Sequence, residues 1–212
     1  MRGRFITFEG GEGAGKSTQV ARLTEALRSQ GIDVVRTREP GGSTGAEQIR
    51  DLVLNGAAER WSPMTETLLM YAARADHLER TIRPALAAGR WVLCDRFADS
   101  SRAYQGAGGG VDATFIEQLD AAVVGEDQPV LTLIFDLPVE IGLARALGRG
   151  DASEVRFESK GQAFHQRLRE GFATIAAAHP NRCRVIDAQG DPDVVFARVQ
   201  AAIQPLLTAV AA

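Results

Sequence analysis

The densest chemistry in this chain is near its start, where Gly10-Gly11-Glu12-Gly13-Ala14-Gly15-Lys16-Ser17-Thr18 matches G-x-x-x-x-G-K-[ST]. Glycines at these positions let backbone N–H groups turn inward around phosphate oxygens. Lys16 is then placed to reach the β- and γ-phosphates, and the Ser17 hydroxyl to bind Mg²⁺. A helix opening near Lys16 adds its N-terminal dipole to the same anion site. The expected ligands are ATP, or another nucleoside triphosphate, and Mg²⁺.

Three further clusters carry charge at chosen places. Thr37-Arg38-Glu39-Pro40-Gly41-Gly42 ends a candidate strand in a sharp turn, with Arg50 on the helix that follows. Asp95-Arg96-Phe97 ends another strand, where a carboxylate can order Mg²⁺-bound water and an arginine can clamp a phosphate bidentately. Arg145, Arg149 and Arg156 surround a polar, Gly-bearing stretch between two helical patterns, which reads as the tip of a movable flap. All but two of the 24 basic residues are arginine, so Lys16 and Lys160 are exceptions. A compact ammonium suits a phosphate cradle that a guanidinium would overfill.

These groups need a frame. Short apolar runs at Arg4–Glu9, Val34–Arg38, Trp91–Asp95, Leu131–Asp136 and Arg184–Asp187 alternate with stretches of helical period such as Phe164, Leu168, Phe172 and Ile175. That rhythm predicts an α/β fold with a five-stranded parallel sheet covered by helices on both faces. Ligands of such sheets sit beyond the carboxyl ends of the strands. Residues 105–110, rich in glycine, read as a loop. The helix from about 65 to 86 shows a core stripe of Leu68, Tyr71, Ala75, Leu78 and Ile82, with Leu69 and Ala73 off it as a surface for a second copy.

Composition bounds the rest. At 212 residues, 45% hydrophobic, 24% charged and a net charge of −3, the chain reads as one domain, residues 1–212, without the basic footprint of a nucleic-acid binder. No stretch approaches the roughly 18 apolar residues of a membrane span. Cys94 and Cys183 are too few for a disulfide framework, so a cytoplasmic setting is expected. His77, His165 and His179 are scattered and read as structural. A GTPase should add N-K-x-D, which this chain lacks; a small kinase acting on a small molecule fits its size and layout.

In order and spacing, Phe8-Glu-Gly-Gly-Glu-Gly-Ala-Gly-Lys16, Thr37-Arg-Glu-Pro-Gly-Gly42, Tyr71-Ala-Ala-Arg74, Asp95-Arg96 and Ala103-Tyr-Gln-Gly106 resemble the thymidylate kinase family, from Phe5 to about Asp187. The resemblance implies a P-loop NTPase fold with a small helical lid at about 143–160. It implies transfer of a phosphoryl group from ATP to dTMP, giving dTDP, by a homodimer. It places Arg38 and Arg96, with Arg50 a lesser candidate, on the acceptor phosphate, Glu12 at the sugar 3′-hydroxyl, and Arg74 on the base. Tyr104 crowds the ribose 2′ position, and Ser101 and Gln105 approach the base edge. Ser17 and Asp95 serve the metal. Met70 stands where the family usually stacks an aromatic ring, and Phe97 where Tyr or His is expected. No arginine lies within the phosphate loop, which resembles the bacterial type whose flap supplies it: Arg156 first, Arg149 second, acting with Lys16 and Arg96. The alternatives are another nucleotide or deoxynucleoside kinase of this fold, and a regulatory nucleotide switch with no small-molecule acceptor.

Overall fold

A computed structural model describes residues 2–57, 59–148 and 160–211. Five strands form the sheet: β1 (Phe5–Gly10), β2 (Val34–Arg38), β3 (Trp91–Asp95), β4 (Leu131–Asp136) and β5 (Cys183–Asp187). All neighbours are parallel, in the order β2-β3-β1-β4-β5. The strand bounds lie within one residue of those read from the apolar runs.

The helices are α1 (Lys16–Ser29), α2 (Thr44–Leu54), α3 (Pro63–His77), α4 (Arg83–Ala87), α5 (Ala98–Ser101), α6 (Ala113–Val123), α7 (Val139–Gly148), α8 (Gln162–Ala178) and α9 (Pro192–Ala211). Two wider, π-helical turns link α3 to α4 (Leu78–Ile82) and continue α5 (Arg102–Gly108). Local signals start these helices. Ser62 Oγ accepts the Thr65 N–H at 3.1 Å with Pro63 in the first turn, and Asp112 accepts the Phe115 N–H at 3.1 Å.

Strand alternation divides the core between two faces. Ile6 and Phe8 of β1 point with Leu93, Leu133 and Phe135 toward α1 and α9, where Val20, Leu23, Leu27, Val195 and Val199 close the layer. Phe5 faces the other way, among Leu78, Ile82, Val92, Cys94 and Phe97. A third group, Tyr104, Ile134, Phe164, Leu168 and Phe172, fastens the segment after β3 to α8. Complete burial of a side chain such as Phe8 contributes about 2 kcal/mol.

Two expectations are corrected. Gln105–Gly108 is helical, not a loop. Glycine costs about 1 kcal/mol per residue in a helix, but here it permits contacts that a side chain would block. A Cβ on Gly108 would lie 2.6 Å from the Phe164 ring, and one on Gly106 3.2 Å from Ile116. The long helix also presents a different face. Leu68 is 47% exposed, whereas Leu69 packs on the Tyr104 cluster and Ala73 is buried. The outward stripe is Met64, Leu68 and Ala72, because α2 and the Arg102–Gly108 turn cover the sides that periodicity alone left open. Among the described residues no helix is long and apolar enough to cross a membrane.

Candidate active site

β1 runs from the centre of the sheet straight into the phosphate loop, and Gly15, at φ +83°, turns the chain into α1. Gly13 has to be glycine twice over: φ is +67°, and a Cβ would lie 2.0 Å from the Gly142 carbonyl of α7. The Lys16 ammonium donates to the carbonyls of Gly10 (3.1 Å) and Gly11 (2.8 Å), inside the curve of the loop. Ser17 and Thr18 open α1 on its exposed side.

The Ser17 hydroxyl donates to Asp95 Oδ2 at the end of β3, so a hydroxyl and a carboxylate meet beside the loop. Both are hard oxygen donors of the kind Mg²⁺ takes together with substrate phosphates and water. Among the described residues no group of three or more His, Cys, Asp or Glu could hold a metal, so a cation here would depend on nucleotide oxygens for the rest of its shell.

Next to the loop is a cleft lined by Glu12, Glu39, Pro40, Arg50, Met70, Arg74, Arg96, Ser101, Tyr104 and Gln105. Glu12 is its pivot. Arg96 Nη2 lies 3.0 and 2.9 Å from the two Glu12 oxygens, Arg96 Nη1 donates to Gly10 O at 3.0 Å, and the Tyr104 hydroxyl also donates to Glu12. The Arg96 guanidinium lies over the Tyr104 ring, 4.9 Å from its centroid. Cation, carboxylate and phenol thus lock one another beside the phosphate loop.

Arg74 forms the inner wall and is 2% exposed. Its Nε donates to Glu39 Oε2 (2.8 Å), Nη2 to Phe97 O (3.0 Å), and both terminal nitrogens to Ser101 Oγ. Burial alone would lower its pKa; the Glu39 charge, with the Tyr71 phenol, holds it above the ordinary arginine value. His77 completes this buried set, with Nδ1 3.0 Å from Glu39 Oε1 and Nε2 2.7 Å from Thr37 Oγ1, a structural role as expected.

Of the residues singled out from sequence, Glu12, Arg50, Met70, Arg74, Arg96, Ser101, Tyr104 and Gln105 come together here. Arg50 donates to Pro40 O at 2.8 Å, and Gln105 Nε2 to Glu66 at 2.9 Å. Arg38 does not line the cleft; its exposed guanidinium pairs with Glu47 at 3.2 Å. Arg149 and Arg156 lie outside the described residues, as does the flap tip. Lys160, left without a task by its sequence position, holds its ammonium 4.5 Å from the centroid of Phe164.

Sequence reasoning missed several supports. Gly142 gives the phosphate loop room: a Cβ there would lie 2.5 Å from the Glu12 carbonyl. Glu39 anchors Arg74, and Phe164 packs edge-on against Tyr104, 6.2 Å between centroids. Only Glu39 carried a signal, as a carboxylate between Arg38 and Pro40 at a strand end.

Comparison with known proteins points to one family. Residues 8–199 match the family model described as thymidylate kinase. A thymidylate kinase of Caulobacter vibrioides is 63% identical over 198 residues, covering 93% of this chain and 94% of that protein. One from Afipia carboxidovorans is 54% identical, covering 96% and 90%. The crystal structure of thymidylate kinase from Ehrlichia chaffeensis superimposes with a TM-score of 0.80 at 33% identity, covering 96% of this chain and all of the other.

Proposed function

The chain belongs to the thymidylate kinase family and phosphorylates dTMP to dTDP at the expense of ATP, and we propose that it does so with Mg²⁺, between the phosphate loop and the Glu12–Arg96 cleft. The observation that carries this is the adjacency of two anion sites: Gly10–Thr18 for the donor, and Arg96 against Glu12, with Arg50 in the same cleft, for the acceptor. Two phosphates brought to one point need alignment more than acid–base chemistry.

dTMP is a phosphate monoester, largely dianionic at neutral pH because its second pKa is about 6, so the attacking oxygen needs no general base. Arg96, with Arg50 beside it, holds that phosphate, and Arg38 closes toward it from the end of β2. As the phosphate takes the Arg96 guanidinium, Glu12 is released to face the sugar 3′-hydroxyl. Tyr104 fills the space a 2′-hydroxyl would need. The Arg74–Ser101 wall, with Gln105, reads the base edge, and Met70 lies against the ring through its polarizable sulfur. Ser17, with Asp95 beside it, would hold Mg²⁺, which would supply charge neutralisation on the donor phosphates. Lys16 and a lid arginine, Arg156 first and Arg149 second, neutralise the rest as charge moves to the leaving group. Closure of a lid over 143–160 keeps water from the donor.

We read the chain as one cytoplasmic catalytic domain that pairs with a second copy through Met64, Leu68 and Ala72 of α3, an exposed apolar stripe at i, i+4 and i+8. The deciding experiment is a coupled ADP-release assay with ATP against dTMP, dUMP, dCMP and dGMP. Preference for dTMP is expected, and turnover indifferent to dTMP would refute the reading. In the same assay Arg156→Ala should cut kcat about 100-fold with KM within about threefold. A near-normal kcat would remove Arg156 from the mechanism.

A further inference from the structure

Glu9, the last side chain before the phosphate loop, is 0% exposed and does not line the cleft. Its two carboxylate oxygens reach the exit of the neighbouring strand. Oε1 accepts the Phe97 N–H at 2.7 Å, and Oε2 accepts the Ser100 hydroxyl at 2.5 Å. Immediately before Phe97 is Arg96, which among the described residues alone has a positive φ without being glycine, at +69°. An L-residue adopts that conformation only when its surroundings over-determine it.

The surroundings here are three consecutive residues of β1. Phe8 O accepts the Arg96 N–H at 2.9 Å, Glu9 holds the amide after it, and Gly10 O accepts the guanidinium at 3.0 Å. The first two contacts pin the backbone on either side of the left-handed residue; the third sets where its side chain ends. Released from Glu9, the turn can relax to an ordinary conformation, which swings the guanidinium off its line to the cleft. A carboxyl group suits the position because its two oxygens meet two partners, the Phe97 N–H and the Ser100 hydroxyl.

We propose that Glu9 is a positioning residue for the acceptor phosphate, holding Arg96 in its left-handed turn so that the guanidinium faces the cleft. The proposal rests on the reading of Arg96 as a phosphate contact.

The test compares Glu9→Leu, Glu9→Gln and Arg96→Ala, singly and as Glu9→Leu/Arg96→Ala. Leucine keeps approximate volume and removes both acceptors. Glutamine keeps both contacts, its oxygen accepting from Phe97 and its amide donating to the Ser100 oxygen. Expected for Glu9→Leu is a rise in KM for dTMP of about 20-fold with KM for ATP changed less than about threefold, glutamine restoring near-normal values. In the Arg96→Ala background Glu9→Leu should add less than about twofold, because the group it positions is gone. Equal damage to both substrates, or a full effect without Arg96, overturns the proposal. An unchanged dTMP KM in Arg96→Ala itself overturns the reading of Arg96, a separate outcome. Should Glu9→Leu fail to fold, Glu9→Asp keeps the acid but shortens it by one methylene and draws it back from the Phe97 N–H; an unchanged dTMP KM there also overturns the proposal.

Discussion

Arg96 and Glu12 face each other across the cleft, one guanidinium nitrogen 3.0 and 2.9 Å from the two carboxylate oxygens. In the proposed mechanism the acceptor phosphate and Glu12 compete for that cation, and the 3′-hydroxyl gains its partner as the phosphate arrives. Glu12→Gln weakens the acceptor for that hydroxyl. Discrimination between dTMP and its 3′-deoxy analogue, read as the ratio of kcat/KM values, should fall about tenfold. An unchanged ratio would place Glu12 elsewhere.

Arg74 and Glu39 are an ion pair with almost no solvent, at 2% and 5% exposure. Removing one partner of such a pair strands the other, so Arg74→Ala should lower stability by about 3 kcal/mol in urea denaturation. Adding Glu39→Gln should recover part of the loss. Arg74→Lys should recover little, because one ammonium cannot reach Glu39, Phe97 O and Ser101 together.

Gly142 lies against the phosphate loop from α7 without belonging to any motif. A methyl group there would meet the Glu12 carbonyl at 2.5 Å and displace the loop. Gly142→Ala should raise KM for ATP about tenfold, more than it raises KM for dTMP, with helical content unchanged by circular dichroism.

Two neighbouring carboxyls titrate in opposite directions. Burial raises both. For Asp99 the hydrogen bond and charge of Arg182, with Arg102, more than reverse this and hold it below its ordinary value of 3.8. For Glu9, burial and then the Asp99 charge push the carboxyl from 4.5 up to about 8. A depressed acid stabilises the fold above its unfolded value and loses that as pH falls through its folded one. A raised acid stabilises below its unfolded value and loses that as pH rises toward its folded one. Stability should therefore climb out of the acid range through Asp99, then slope downward between about 4.5 and 8 through Glu9. Urea midpoints across pH 3 to 9 check this: Asp99→Asn flattens the acid limb and Glu9→Gln the downward one.

The exposed stripe of α3 gives the last prediction. Leu68→Glu places a charge where apolar contact between copies is proposed. Sedimentation velocity should then show a monomer, with a dimer expected for the unaltered protein. A dimer that survives Leu68→Glu would move the interface elsewhere.

By itself the sequence determined the elements and the donor site. Five apolar runs became five parallel strands with bounds within a residue, and Gly10–Thr18 formed the phosphate loop, because strand alternation and Gly-rich backbone geometry are local properties. Most of the residues that line the cleft were legible too, yet what holds them was not. Glu9 to Phe97, Glu39 to Arg74 and Gly142 to Glu12 are contacts across 88, 35 and about 130 positions of chain, and no spacing rule reaches that far. The same limit misplaced the faces of α3 and made a glycine-rich helical turn read as a loop. Which side of a helix is covered, and whether glycine means freedom or close approach, depends on what the fold sets against it. Local chemistry named the phosphate loop; packing between distant segments decided the conformation in which the cleft residues are held.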